Sequence, residues 1–314
     1  MQRQYPVRGY GGVIRASQAH TACMSRAVAG VGAGWRTPVA GLLADRARAG
    51  RLGFVEVVAE NVEPTAPPAA VVALHDAGLP VVTHGVTLGL AGAERPDAGR
   101  LARLAAVAGT VGSPLVSEHA AFVRAAGSAD ALHGDVLEAG HLLPPPRTRD
   151  ALAVLVDNVR EAQAQLPVPL ALENVAALVS WPEDELDEPA FLTGLVERTG
   201  CGLVLDVANL FASATARGTD PLAELRRFPL EAVSYVHVAG GTWEDGLYLD
   251  THAHPVPDPV LALLTTLVAA YGEARLPLPG VMLERDSDVS PATVGPELDR
   301  VEGALASATG RVPT

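Results

Sequence analysis

Eight short β-like runs, each followed by a longer connecting stretch, constrain the fold of this chain more than any other feature. The runs cover residues 30–35 (with 32–35 at its centre), 53–60, 80–88, 114–122, 169–175, 202–210, 233–240 and 280–286. Helical patterning occupies 40–50, 69–77, 97–107, 149–165, 189–198 and 259–271; in the last of these Val260, Leu263, Leu264 and Leu267 recur at helical spacing. Strand–helix alternation of this kind argues for a parallel sheet with right-handed crossovers. A count of eight favours closure, so the expected fold is α/β, a (β/α)8 TIM barrel. A dinucleotide-binding alternative fails locally: Gly30-Val31-Gly32-Ala33-Gly34-Trp35 lacks the final glycine of the fingerprint, and no P-loop pattern is present.

The 314 residues, 48% of them hydrophobic, can build one large core without disulfides. We expect a poorly ordered N-terminal extension over 1–28, a single barrel domain over 29–308 and a short tail over 309–314. Long loops at 124–146 and 240–257 follow the fourth and seventh strands, so both should overhang the face where barrel active sites form. Cys23 and Cys201 are too few for a disulfide framework, which fits a reducing cytoplasm. All 23 basic residues are arginines, and against 36 acidic ones they leave a formal charge of −13. That field repels a nucleic-acid backbone, and no basic cluster offsets it. No apolar run reaches the roughly 20 residues that span a bilayer. The expectation is a cytoplasmic protein with neither nucleic acid nor membrane as partner.

The chemistry-bearing residues fall at the ends of the runs. His84, His119, Glu173, Asp206, His237 and Glu284 close six different strands, and Asn209, Asp250 and His252 follow nearby. A carboxylate at the end of a barrel-lining strand must be paired, hydrogen-bonded or bound to metal. Arg285 is the main basic residue at a strand end, so divalent cations are the natural counter-charge. Asp250 and His252, two apart, share a face of an extended segment, and with Asn209 they could build a further metal position. A His, Asp and Glu set without Cys suits zinc, manganese or iron, and carboxylate-bridged, partly open sites suit catalytic metals. Glu118 and Asn174 are candidates for orienting the ligands. Glu60 and Asn61, at the mouth of the second strand, are candidates for a similar role or for touching substrate.

The residue order resembles the trinuclear metal barrels related to endonuclease IV and the xylose-isomerase-like superfamily. That resemblance implies one metal at His84, His119 and Glu173, with Glu173 bridging to a second at Asp206, His237 and Glu284. A third would take Asn209, Asp250 and His252. Where the nuclease pattern has D-x-x-H, this chain has Asp206-Val207-Ala208-Asn209, a departure that weakens a zinc nuclease assignment.

The segments Glu56-Val57-Val58-Ala59-Glu60-Asn61, His84-Gly85-Val86-Thr87-Leu88, Ser117-Glu118-His119, Glu173-Asn174, Asp206-Val207-Ala208-Asn209, His237-Val238-Ala239-Gly240, Asp250-Thr251-His252 and Glu284-Arg285-Asp286 more closely resemble the multinuclear non-heme iron-dependent oxidative enzymes of the methanobactin-biosynthesis type. The match runs from about Gly32 to Glu302. It implies two or three iron ions in mixed Fe(II)/Fe(III) states, dioxygen as co-substrate, and oxidation of a ribosomally made precursor peptide, commonly at cysteine. In that scheme Glu173, Asp206, His237 and Glu284 act through bound iron. It also implies a separate peptide-recognition partner protein. Two other functions compete: a zinc- or manganese-dependent hydrolase or isomerase of the endonuclease IV or sugar-isomerase type, and a non-enzymatic metal-binding scaffold that recruits a partner.

Overall fold

The computed structural model describes residues 28–126 and 136–309. Eight strands form a closed, all-parallel barrel: β1 (Val31–Gly34), β2 (Phe54–Val58), β3 (Val81–His84), β4 (Val116–His119), β5 (Leu170–Glu173), β6 (Gly202–Asp206), β7 (Val233–Val238) and β8 (Gly280–Leu283). Each pairs with its sequence neighbours, and β1 pairs with β8 to close the ring. Eight longer helices surround it: α1 (Ala40–Arg48), α2 (Ala69–Asp76), α3 (Ala98–Thr110), α4 (Arg149–Gln165), α5 (Glu188–Thr199), α6 (Val207–Arg217), α7 (Asp258–Ala274) and α8 (Pro291–Thr309), with a five-residue helix, Pro221–Leu225, between α6 and β7. The expected barrel is therefore the observed one. Most of the proposed extension, Cys23 with it, and residues 310–314 of the tail lie outside the described residues.

The barrel interior is layered by the period of two along each strand. Its lower layer joins Phe54, Val82, Leu115, Ala171, Val204, Tyr235 and Met282 in one apolar cluster. The Phe54 ring fills the space that Gly32 and Gly280 leave open; a Cβ at either glycine would lie within 2.5 Å of that ring. Two residues further along the same strands stand Glu56, His84, Ser117, Glu173, Asp206, His237 and Glu284. The apolar lower layer thus acts as a floor, and the polar residues sit on it at the carboxyl ends of the strands.

Three local features depart from the sequence expectation. The run 202–210 is not one strand: β6 stops at Asp206 and α6 starts at Val207. The Asp206 side chain accepts from the amides of Ala208 and Asn209 at 2.6 and 2.8 Å, which caps the helix and turns the chain. The two long loops also carry structure. Phe122–Ala126 pairs antiparallel with Val136–Leu143, and Thr242–Glu244 pairs with Leu247–Leu249. Asp245 and Gly246 both have positive φ, 49° and 82°, as a two-residue hairpin turn of the primed type requires.

Candidate metal centre

The barrel brings the strand-end residues into three touching groups. His84, His119 and Glu173 form one; Glu173, Asp206, His237 and Glu284 form the next; Asp206, Asp250 and His252 form the third. Within each group the candidate ligand atoms lie within 4.8 Å of one another. Glu173 sits at the junction of the first two. Its Oε2 is 3.7 Å from His84 Nε2 and 3.5 Å from His119 Nε2, whereas its Oε1 is 3.2 Å from His237 Nδ1. Each oxygen thus faces a different group, the disposition of a bridging carboxylate. Glu284 Oε2 lies 3.3 Å from His237 Nδ1 and 3.5 Å from His252 Nδ1, so it links the second group to the outer loop.

Electrostatics makes this cluster a poor resting place for bare charge. Burial raises the Asp206 carboxyl, and the charges of Asp250 and Glu173 raise it further, to about 8. His119 goes the other way from its burial: the Glu173 and Glu118 carboxylates outweigh desolvation and lift it to about 9. Glu173 is likewise penalised by burial, but His237 and His119 hold it down to about 2. Three carboxylate oxygens in the cluster, Glu173 Oε2, Asp206 Oδ2 and Asp250 Oδ1, are buried without a hydrogen-bond partner among the described residues. An unpartnered buried carboxylate oxygen is costly, and a cation is the partner that relieves it. Arg285 does not supply one, because its guanidinium turns to Glu297 at 2.8 Å. The donor set, imidazole and carboxylate without thiolate, fits iron, zinc or manganese.

The side chains expected to orient this set have definite partners. Asn174 accepts from Asp206 N at 2.8 Å and donates to Asp206 O at 3.0 Å, clamping the end of β6. Glu118 accepts from Leu88 N and from His119 N, tying the loop after β3 to β4, and its Oε1 is 3.4 Å from His119 Nδ1. Asn209 stands on the first turn of α6, and its Nδ2 donates to Asn174 O at 3.0 Å, so Oδ1 is the amide atom left for other partners. Glu60 belongs elsewhere: its carboxylate holds Val86 N and Thr87 Oγ1 in the loop after β3. Asn61 is exposed and outside the three groups.

Residue reading of the sequence missed Glu56, Ser117 and Tyr235 as site residues. All three are buried, Glu56 and Ser117 in the layer of the candidate ligands and Tyr235 in the layer below, and each shares a face of its strand with another inward residue, Phe54, His119 and His237 respectively. That period of two was the available signal. Asp286 was missed too; its Oδ2 is 3.5 Å from His252 Nδ1, and His252, Glu284 and Asp286 make a fourth group of possible ligands.

A cavity of about 350 Å³ opens over the third group. It is lined by His119, His141, Leu142, Asn209, Asp250 and His252 among others. The hairpin strand Val136–Leu143 therefore forms one wall and the candidate metal-binding side chains the floor.

A family model described as "RiPP precursor modification enzyme MbnB/TglH/ChrH" matches residues 30–305. The chain belongs to this family. The match takes in all eight strands and every residue of the cluster. Among curated relatives, a UPF0276 protein of Streptomyces avermitilis is 53% identical over 276 residues, which cover 88% of this chain and 54% of that one. This chain thus spans about half the length of that relative. A UPF0276 protein of Chromobacterium violaceum is 35% identical over 261 residues, covering 83% and 90%. Among solved structures, a xylose isomerase domain protein from Alicyclobacillus acidocaldarius superposes with a TM-score of 0.53 at 16% identity, over 90% of this chain and 99% of that one. At that identity the likeness shows the barrel fold alone. No described helix of this family member is long and apolar enough to cross a membrane.

Proposed function

We propose that this chain is an iron- and dioxygen-dependent oxidative enzyme that modifies a ribosomally synthesised precursor peptide at cysteine. The observation that carries the metal part is Glu173, whose two oxygens face two separate ligand groups. In this reading His84, His119 and Glu173 hold one ion, and Glu173, Asp206, His237 and Glu284 hold a second. Asp250, His252 and Asn209 hold a third, with Asp206 beside them. Bound iron supplies the redox chemistry and the affinity for a peptide thiolate, which no side chain of the protein can provide. The family match supports the peptide as substrate.

The chain's own residues then have limited and definite tasks. The apolar floor of Phe54, Val82, Tyr235 and Met282 keeps water from entering beneath the ligands. Asn174 and Glu118 fix the strand ends that carry Asp206 and His119. The cavity beside the hairpin strand Val136–Leu143 gives an extended peptide a route to the third group. Trp243, 56% exposed and packed edge-on against Phe211 and Tyr248, stands on the other loop where peptide side chains would pass. Cys201 takes no part: it is buried at the amino end of β6, and burial pushes its thiol up to about 11. A separate peptide-recognition protein completes the system.

The test is to incubate the iron-loaded protein, dioxygen and a precursor peptide encoded beside its gene, then read peptide mass. A mass change localised to a cysteine, absent when that cysteine is serine or when oxygen is excluded, is the expected result. An unchanged peptide under all these conditions, with its recognition partner present, would contradict the proposal.

A further inference from the structure

Linking two of the proposed ligands, His84 and His237, is a continuous hydrogen-bonded path through the barrel. His84 Nδ1 is 2.8 Å from Ser117 Oγ, which is 2.6 Å from the Tyr235 hydroxyl. The Tyr235 hydroxyl donates to Glu56 Oε2 at 2.5 Å, and the same oxygen lies 3.0 Å from His237 Nε2. All five side chains are buried. Barrel interiors are ordinarily filled at this depth by branched apolar residues, so a run of polar groups here calls for a role.

We propose that Glu56, acting through Tyr235 and Ser117, selects the ring nitrogens that His84 and His237 present to metal. The argument is one of proton counting. A carboxylate accepts and cannot donate, so both Tyr235 and His237 Nε2 must donate to Glu56. Tyr235 has a single hydroxyl proton; having given it to Glu56, it can only accept from Ser117. Ser117, having given its proton to Tyr235, can only accept from His84 Nδ1. Both tautomers are then set from one place. His84 is left with its lone pair on Nε2, the atom 3.7 Å from Glu173 Oε2. His237 is left with its lone pair on Nδ1, the atom facing Glu173 Oε1 and Glu284 Oε2. These are the nitrogens that belong to the first and second ligand groups. Glu56, Tyr235 and Ser117 are positioning residues, and the carboxylate–histidine–metal arrangement they create is a general way to fix a ligand.

The inference rests on the reading that the cluster binds metal, and its test separates the two. Metal-free protein is titrated with Co(II) under nitrogen against a competing chelator, with the absorption of each Co(II) site as readout. Tyr235→Phe keeps the ring that packs edge-on against Phe54 at 5.9 Å and removes only the hydroxyl. It should weaken the His84-containing site about 10- to 100-fold, the range for loss of such an outer partner, and leave the His237-containing site as it was. Ser117→Ala should reproduce that selectivity. Glu56→Leu, which leaves no acceptor for Tyr235 or His237, should weaken both sites. Co(II) binding that is unchanged in Tyr235→Phe and Ser117→Ala, or weakened equally at every site together with lower thermal stability, would overturn the tautomer assignment. Failure of the unmodified protein to bind Co(II) at all would instead overturn the metal reading beneath it.

Discussion

Glu173→Gln should leave a folded protein that loses metal from at least one of the two groups sharing Glu173 and modifies no peptide. The substitution keeps volume and shape but replaces one anionic oxygen by an amide nitrogen. Whichever way the amide turns, one of the two groups loses its carboxylate oxygen and receives a donor. If the NH2 takes the Oε2 position, it faces His84 Nε2 and His119 Nε2, which now lie 3.7 and 3.5 Å from an anion. If it takes the Oε1 position, it faces His237 Nδ1 at 3.2 Å. Loss of an outer partner already costs about 10- to 100-fold in metal affinity, so loss of a shared ligand should cost more than about 100-fold at the affected sites. Elemental analysis after dialysis, with circular dichroism to verify the fold, checks both halves. Full metal content in the variant would remove Glu173 from the ligand set.

Asp206 allows a sharper separation, because its two oxygens have different work. Oδ1 caps α6 through the amides of Ala208 and Asn209, and Oδ2 is buried with no hydrogen-bond partner among the described residues. Asp206→Asn retains a capping acceptor and fills the Oδ2 position with an amide nitrogen, so metal should be lost while the helix survives. Asp206→Ala removes the cap as well and should cost about 1 kcal/mol more in folding stability, within a range of about 0.5–2. The metal-free proteins should also differ in their response to pH. Burial, Asp250 and Glu173 raise the native Asp206 carboxyl to about 8 from its ordinary value of 3.8. The native state therefore binds a proton more tightly than the unfolded chain, and stability contributed by this group falls as pH rises between those values. Asp206→Asn removes that penalty, so above pH 8 the metal-free variant should be the more stable of the two. Denaturant unfolding at pH 5 and pH 9 measures this; an Asn variant less stable than its parent at pH 9 would contradict the electrostatic account.

Much of the fold was legible because its signals are local and repeated. Each of the eight runs overlaps one of the eight strands, and His84, His119, Glu173 and Asp206 are the last residues of theirs. The misplaced boundary in 202–210 has a clear origin. Leu203 to Leu210 is an apolar stretch that strand and helix fill equally well, and only the Asp206 cap decides where one yields to the other. The Asp245-Gly246 turn was visible as a dipeptide, but its strands are three residues each and leave little alternation to read. Glu56 was harder. The segment 56–61 contains two glutamates, and choosing the inward one requires the phase of β2, which is fixed by Phe54 lying over Gly32 and Gly280. Ser117 and Tyr235 are unremarkable in sequence, and their role exists only once four strands are closed into a ring.

The central claim, that this barrel mouth is a multinuclear iron centre, is tested most directly by the metal the protein carries. Protein from cells grown on iron-57, purified without added metal and at low oxygen, should be taken to elemental analysis and Mössbauer spectroscopy. The account predicts two or three iron ions per chain with a magnetically coupled mixed-valent signal. Zinc or manganese in the same positions, with no appreciable iron, would contradict it and point to hydrolytic or isomerase chemistry in this barrel.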